Sequence, residues 1–121
     1  MATILLIDDD ERLRRMLGRM LAGAGHEVVE AENGRVALAI LPSCQPDLVI
    51  TDVFMPEKDG IETTKEIRAL SPDIKILAMT GGGRGDRFYA LIETLAAAGV
   101  LQKPFDQTTL LGAVNRLLGT G

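Results

Sequence analysis

Ile4-Leu5-Leu6-Ile7 runs straight into Asp8-Asp9-Asp10, and Leu48-Val49-Ile50 runs into Thr51-Asp52. Short runs of Ile, Leu and Val without alternation read as strands buried on both faces, the pattern of a parallel sheet. In open parallel sheets ligands sit beyond the carboxyl ends of the strands, where strand order reverses. If these two strands are neighbours, the carboxylates that follow them converge on one small pocket. Two unit charges ~4 Å apart repel by about 1–4 kcal/mol between the dielectric of water and that of a protein surface. Such a pocket calls for a counter-ion, and a divalent cation with oxygen ligands meets the need.

Outward from these runs, strand and helix patterns alternate five times. Strands are expected over 3–7, 27–31, 47–51, 74–79 and 100–102. The first helix is expected over 11–24, with Leu13, Met16, Leu17, Met20 and Leu21 as its apolar stripe. Asn33-Gly34 is a strong hairpin signal between alternating apolar runs. The residues after it, Val36 to Leu41, do not alternate, so Asn33 reads as a helix N-cap and 34–41 as the second helix, stopped by Pro42. The third helix is expected over 61–70, with Ile61, Thr64, Ile67 and Leu70 on one face, the fourth over 87–97 and the fifth over 108–118. Alternating βα units imply a parallel sheet with right-handed crossovers and helices on both faces. Chemistry then collects at the strand ends, which offer Asp8 and Asp9, Asp52, Thr80 and Lys103.

At 121 residues the chain is near the commonest size of one domain, and 46% apolar with 25% charged residues is the balance of a water-exposed globule. A net charge of −4 argues against nucleic acid as a direct partner. Arg12, Arg14, Arg15 and Arg19 do cluster, but neighbouring acids offset them, and they read as a solvated helix face. No apolar stretch approaches the ~20 residues of a membrane span, and no signal-peptide pattern opens the chain, so no membrane insertion is expected. The single Cys44 forms no internal disulfide and has no metal-ligand spacing, which fits a reduced thiol and a cytoplasmic location.

The acidic pair Asp8-Asp9, the segment Asp52-Val53-Phe54-Met55-Pro56 followed by Asp59-Gly60, then Thr80, and finally Lys103-Pro104-Phe105 occur in that order, each after an expected strand. In these motifs the chain resembles the receiver domains of two-component response regulators, from end to end. The resemblance implies a flavodoxin-like, doubly wound α/β fold: a five-stranded parallel sheet in the order 2-1-3-4-5 with five flanking helices. It implies transfer of a phosphoryl group from a histidine kinase or histidine phosphotransfer protein onto Asp52. It implies Mg²⁺ held by Asp9, Asp52 and the backbone carbonyl of Phe54, with Asp8 acting through water, and a cis Lys103–Pro104 bond. The physical roles agree: phosphoryl transfer rests on positioning and charge stabilisation, a lysine supplies a point charge for a phosphoryl oxygen, and the Thr80 hydroxyl supplies a donor for another. With no DNA-binding or catalytic output domain after the fifth helix, residues 1–121 resemble a single, stand-alone receiver, like chemotaxis regulators and phosphorelay intermediates. Its output is then a downstream protein target or onward transfer of the phosphoryl group, and it is not expected to be an enzyme in its own right.

Two positions depart from the family pattern. Phe54 stands where many members carry a polar or acidic side chain, and is expected to slow hydrolysis of the acyl phosphate. Val100 stands where many carry an aromatic that swings inward on activation. Val100 is small and stiff at χ1, so the response is expected in the glycine-rich loop 81–86 and at the start of the fourth helix.

Simpler readings compete at several positions. The three acids 8–10 suit a helix N-terminus, but that alone leaves Asp52 and Lys103 unexplained; Asp10 is read as a cap. Thr80 also fits an ordinary strand end and Lys103 a surface lysine. Asp59-Gly60 reads as turn chemistry and His26 as solvent-facing. Gly81-Gly82-Gly83 lacks the lysine and the spacing of a phosphate loop, and Arg84-Gly85-Asp86 is read as a chance tripeptide. Two rival classes share the architecture. A flavodoxin-like electron carrier needs a hydroxyl-rich phosphate loop after strand one and stacking aromatics, whereas this loop is acidic and aromatics are 3% of the chain. A haloacid-dehalogenase-like Mg²⁺-dependent phosphatase also uses Asp-x-Asp after strand one, which Asp8 and Asp10 match; Arg12 stands where that family has Thr or Val, and the chain is short for that fold.

Overall fold

Five strands and four helices are seen in a computed structural model that describes residues 2–52, 60–80 and 98–119. In chain order they are β1 (Thr3–Ile7), α1 (Glu11–Gly23), β2 (Glu27–Ala31), α2 (Gly34–Cys44), β3 (Leu48–Asp52), α3 (Gly60–Leu70), β4 (Lys75–Thr80), β5 (Gly99–Gln102) and a C-terminal helix (Gln107–Leu118). The strands form one sheet in the order β2-β1-β3-β4-β5, every pair parallel. This is the expected doubly wound topology. The expected helix over 87–97 lies outside the described residues.

The apolar runs divide their side chains between two cores with the period of two that a strand imposes. Ile4 and Leu6 of β1, Leu48 and Ile50 of β3, and Leu77 and Met79 of β4 face one side. There they meet Leu17 and Leu21 of α1 and Leu110, Val114 and Leu117 of the C-terminal helix. Leu5, Ile7, Val49 and Ile76 face the other side, against Ala37 and Leu41 of α2 and Ile67 of α3. Burial on both faces is why these strands read as unbroken apolar runs.

Helix starts follow the capping chemistry. Asp10 accepts a hydrogen bond from the Leu13 N–H at 3.1 Å, Asn33 from Val36 at 2.9 Å and Asp106 from Thr109 at 2.8 Å. The Asn33-Gly34 ambiguity thus resolves as a helix start. Pro42, however, lies inside α2 instead of ending it at Leu41. A proline removes one helical donor, but α2 has only two residues left to run, and Gln45, in the left-handed region at φ 45°, donates its N–H back to the Leu41 carbonyl. Two apolar positions also turn outward: Met16 is 45% and Leu70 63% exposed. The buried stripe of α1 follows Leu17 and Leu21, and that of α3 follows Thr63, Thr64 and Ile67.

The helices α2 and α3 meet at Gly34. A Cβ there would collide with the Thr63 hydroxyl oxygen, so only glycine fits at this crossing. That hydroxyl is buried and has no hydrogen-bond partner among the described residues. Gly34→Ala is expected to destabilise the protein by about 1–3 kcal/mol through overpacking, whereas Thr63→Val should leave stability unchanged or raised, because it removes an unsatisfied buried oxygen at constant volume. Urea unfolding measures both. A neutral Gly34→Ala would mean that the two helices do not approach so closely.

Candidate functional site

Parallel pairing of β1 with β3 places Ile7 opposite Thr51, so one residue further on Asp8 and Asp52 leave the sheet side by side. Asp8 is fully buried, Asp52 is buried, and Asp9 is exposed. One carboxylate oxygen from each of the three lies within 4.8 Å of those of the other two. The turn that carries them is tied down at several points. The Asp8 N–H donates to the Ala31 carbonyl at 3.2 Å, and the Asp10 N–H donates to Asp8 Oδ1 at 2.9 Å. The Asp8 carbonyl accepts from the Arg14 guanidinium at 2.9 Å.

The cation of the site arrives from the far side of the sheet. Lys103 follows β5, its N–H donates to the Thr80 carbonyl at 2.6 Å, and the Lys103–Pro104 bond is cis. Its ammonium donates to Asp52 Oδ2 at 2.8 Å and to Asp8 Oδ2 at 3.2 Å. Thr80 ends β4, one residue beyond the Met79 that pairs with Asp52, and is buried. Phe105 packs half-buried against the core beneath. Asp8, Asp9, Asp52, Thr80 and Lys103 therefore gather at one end of the sheet, as their order in the chain predicts. Phe54, Asp59 and the loop 81–86 with its Arg84-Gly85-Asp86 lie outside the described residues.

Burial raises the Asp8 carboxyl above its ordinary pKa, and the Asp52 charge adds to the rise; the Asp10 N–H and the Lys103 charge oppose it without cancelling it. Burial also acts to lower the Lys103 ammonium, but its hydrogen bond to Asp52 and the charges of Asp52 and Asp8 outweigh that and leave its pKa raised. Lys103 is thereby held in its charged form. Among the described residues three carboxylates face one ammonium, an excess of negative charge that suits a divalent cation with oxygen ligands.

Two residues depart from their sequence reading. His26 is half-buried, its Nδ1 accepting from the Ala2 N–H at 3.3 Å. Arg14 belongs to no solvated face. Its side chain is 12% exposed and its Nε donates to Glu30 Oε1 of β2 at 3.0 Å. The available signal was spacing: Arg14 lies four residues before the buried Gly18, on the side of α1 that meets β2. Lys75, at the opposite end of the sheet, donates to the Leu117 carbonyl at the end of the C-terminal helix and takes no part in the site.

Comparison with known proteins places this geometry. Residues 4–115 match the family described as the response regulator receiver domain. The chain is 36% identical over 115 residues to the response regulator MprA of Mycolicibacterium vanbaalenii, which covers 95% of this chain; the chain spans about half of that relative's length, 49%. The chemotaxis protein CheY4 of Vibrio cholerae superposes with a TM-score of 0.91 at 35% identity, over 97% of this chain and 98% of its own. The response regulator protein TrrA of Thermotoga maritima, solved in complex with Mg²⁺-BeF, superposes with a TM-score of 0.85 at 34% identity, over 97% and 99%. These matches do not favour the haloacid-dehalogenase-like alternative. A family match that runs almost from end to end, over a sheet of the same order and with the acids at its carboxyl ends, makes this chain a member of the response regulator receiver domain family of two-component signalling.

Proposed function

We propose that residues 1–121 act as one receiver domain, a phospho-accepting switch that takes a phosphoryl group onto Asp52. The observation that carries this reading is the bridge made by Lys103, 2.8 Å from Asp52 and 3.2 Å from Asp8, beside three carboxylates that share one pocket. An Asp52 oxygen forms a bond to phosphorus as the phosphorus–nitrogen bond of a phosphohistidine donor breaks. Lys103 then exchanges its bond to Asp52 for one to a phosphoryl oxygen, and the Thr80 hydroxyl donates to a second. Asp9, Asp52 and the Phe54 carbonyl would hold Mg²⁺, with Asp8 acting through water. When bound, the ion neutralises the carboxylates and the charge of the incoming group. The complex of TrrA with Mg²⁺-BeF supports carrying the same ligand class to this chain. The donor is a histidine kinase or histidine phosphotransfer protein, and the output is a downstream protein target or onward transfer. The chain is thus a signalling switch and not a turnover enzyme. Among the described residues no helix is long and apolar enough to cross a membrane; a cytoplasmic location of the chain is part of the same proposal.

Asp52→Asn tests the acceptor. The change is nearly isosteric, so the variant is expected to fold, but to take no label from acetyl phosphate with Mg²⁺, whereas the wild-type chain is labelled on Asp52. Phosphopeptide mapping by mass spectrometry reads the outcome. Labelling of the variant at the wild-type rate would remove Asp52 from its role.

The charge of Asp8 gives a second expectation. Because its carboxyl is raised in the folded state, folding binds the Asp8 proton more tightly than unfolding does. The stability that this proton supplies is present at low pH. It is lost as pH rises from the ordinary carboxylate value, about 3.9, through the raised folded value. Asp8→Asn keeps an acceptor for the Asp10 N–H and removes the charge. It should raise the Tm of the metal-free protein at neutral pH, with the gain shrinking once pH falls below the ordinary carboxylate range. Thermal unfolding in chelator measures this, and a lower Tm at neutral pH would show that the Asp8 charge stabilises the fold.

A further inference from the structure

We infer that Arg14 is a positioning residue for the acidic pocket: it fixes the Asp8–Asp9 peptide so that the Asp9 carboxylate is aimed at a bound cation. The inference rests on the metal-binding reading above and names a residue that reading does not use.

Arg14 is the guanidinium on α1 that turns inward. Its NH1 group donates to the Asp8 carbonyl at 2.9 Å and its Nε donates to Glu30 Oε1 at 3.0 Å. A guanidinium is planar and its donors are fixed relative to one another, so the Glu30 bond determines where NH1 points. Glu30 is seated in turn against α1 at Gly18, where a Cβ would stand 3.2 Å from Glu30 Oε2. The clamp thus ties the edge strand β2 to the turn that follows β1.

Its place in the turn is specific. Asp8 is held through its N–H by Ala31 and through its carboxylate by Asp10 and Lys103. Asp9 has none of this burial: it is exposed, and its side chain reaches the cluster from the solvent side. The peptide that joins Asp8 to Asp9 is spanned by the bond from the Asp10 N–H to Asp8 Oδ1, and among the described residues its carbonyl is held by Arg14. Groups that orient metal ligands from behind typically change affinity by about 10- to 100-fold when removed.

Charge alone predicts the opposite sign. Arg14 is a cation close to a cation site, so deleting its charge without losing geometry should tighten metal binding. Arg14→Gln and Arg14→Lys separate the two effects, since Lys keeps the charge and lacks the fork. The probe is Mn²⁺, with free aqueous Mn²⁺ followed by its electron paramagnetic resonance signal. Each variant is held well below its own unfolding midpoint, so that a general loss of stability does not enter. Both variants are expected to bind Mn²⁺ about 10-fold or more weakly than wild type. Glu30→Ala should weaken binding in the same direction by less, because NH1 keeps its acceptor and loses only its brace. Tighter or unchanged binding by Arg14→Gln, with wild type binding normally, would overturn the positioning role and leave the metal pocket standing. Failure of wild type itself to take up Mn²⁺ would overturn the metal-binding reading and this inference with it.

Discussion

Repulsion among three carboxylates at the ends of two adjacent strands is the constraint on which the site depends. β1 and β3 pair in a register that leaves Asp8 and Asp52 next to one another, and the turn after β1 adds Asp9. A sheet buried on both faces cannot shift that register without moving its apolar side chains to the wrong core. The charges are therefore fixed in place by the hydrophobic pattern and must be compensated locally. Lys103 does part of this from β5, across the width of β3 and β4, with its ammonium 2.8 Å from Asp52 and 3.2 Å from Asp8. What remains, among the described residues, is a pocket with more carboxylates than ammonium groups, a donor set that suits a divalent cation.

The same constraint explains why the backbone around the pocket is so thoroughly bonded. Asp8 engages its N–H, its carbonyl and its carboxylate with partners from β2, α1 and the turn itself. A carboxylate cluster held only by flexible side chains would relax by swinging apart into water. Here the tethers run to the main chain, so the acids keep their separation. Asp9 is the one member left exposed, which gives it freedom to meet a cation while its backbone is held.

Most of this was legible in the sequence because it is carried by runs of consecutive residues. Ile4 to Ile7 and Leu48 to Ile50 are apolar without alternation, which marks strands of a covered parallel sheet, and the acids that follow them inherit the strands' position. The caps Asp10 and Asn33 announced their helices for the same local reason. What the sequence hid depends on tertiary partners. Pro42 was read as a stop, yet α2 ends so soon after it that a missing donor is tolerated. Met16 and Leu70 fit an apolar stripe by spacing alone, but the faces that α1 and α3 bury run through Leu17 and Leu21 and through Thr63, Thr64 and Ile67 instead. Arg14 looked like its arginine neighbours because its partner, Glu30, lies sixteen residues away on another element.

Metal-dependent stability tests the central claim most directly. If the pocket is a standing electrostatic cost relieved by a divalent cation, Mg²⁺ should stabilise the wild-type protein by mass action, about 2.7 kcal/mol at a hundredfold excess over Kd. NaCl at the same ionic strength should give far less, and Asp9→Ala should abolish most of the difference. Urea unfolding of both proteins across a Mg²⁺ series supplies the numbers. A Mg²⁺ effect no larger than that of matched NaCl, or one equal in wild type and Asp9→Ala, would contradict the account.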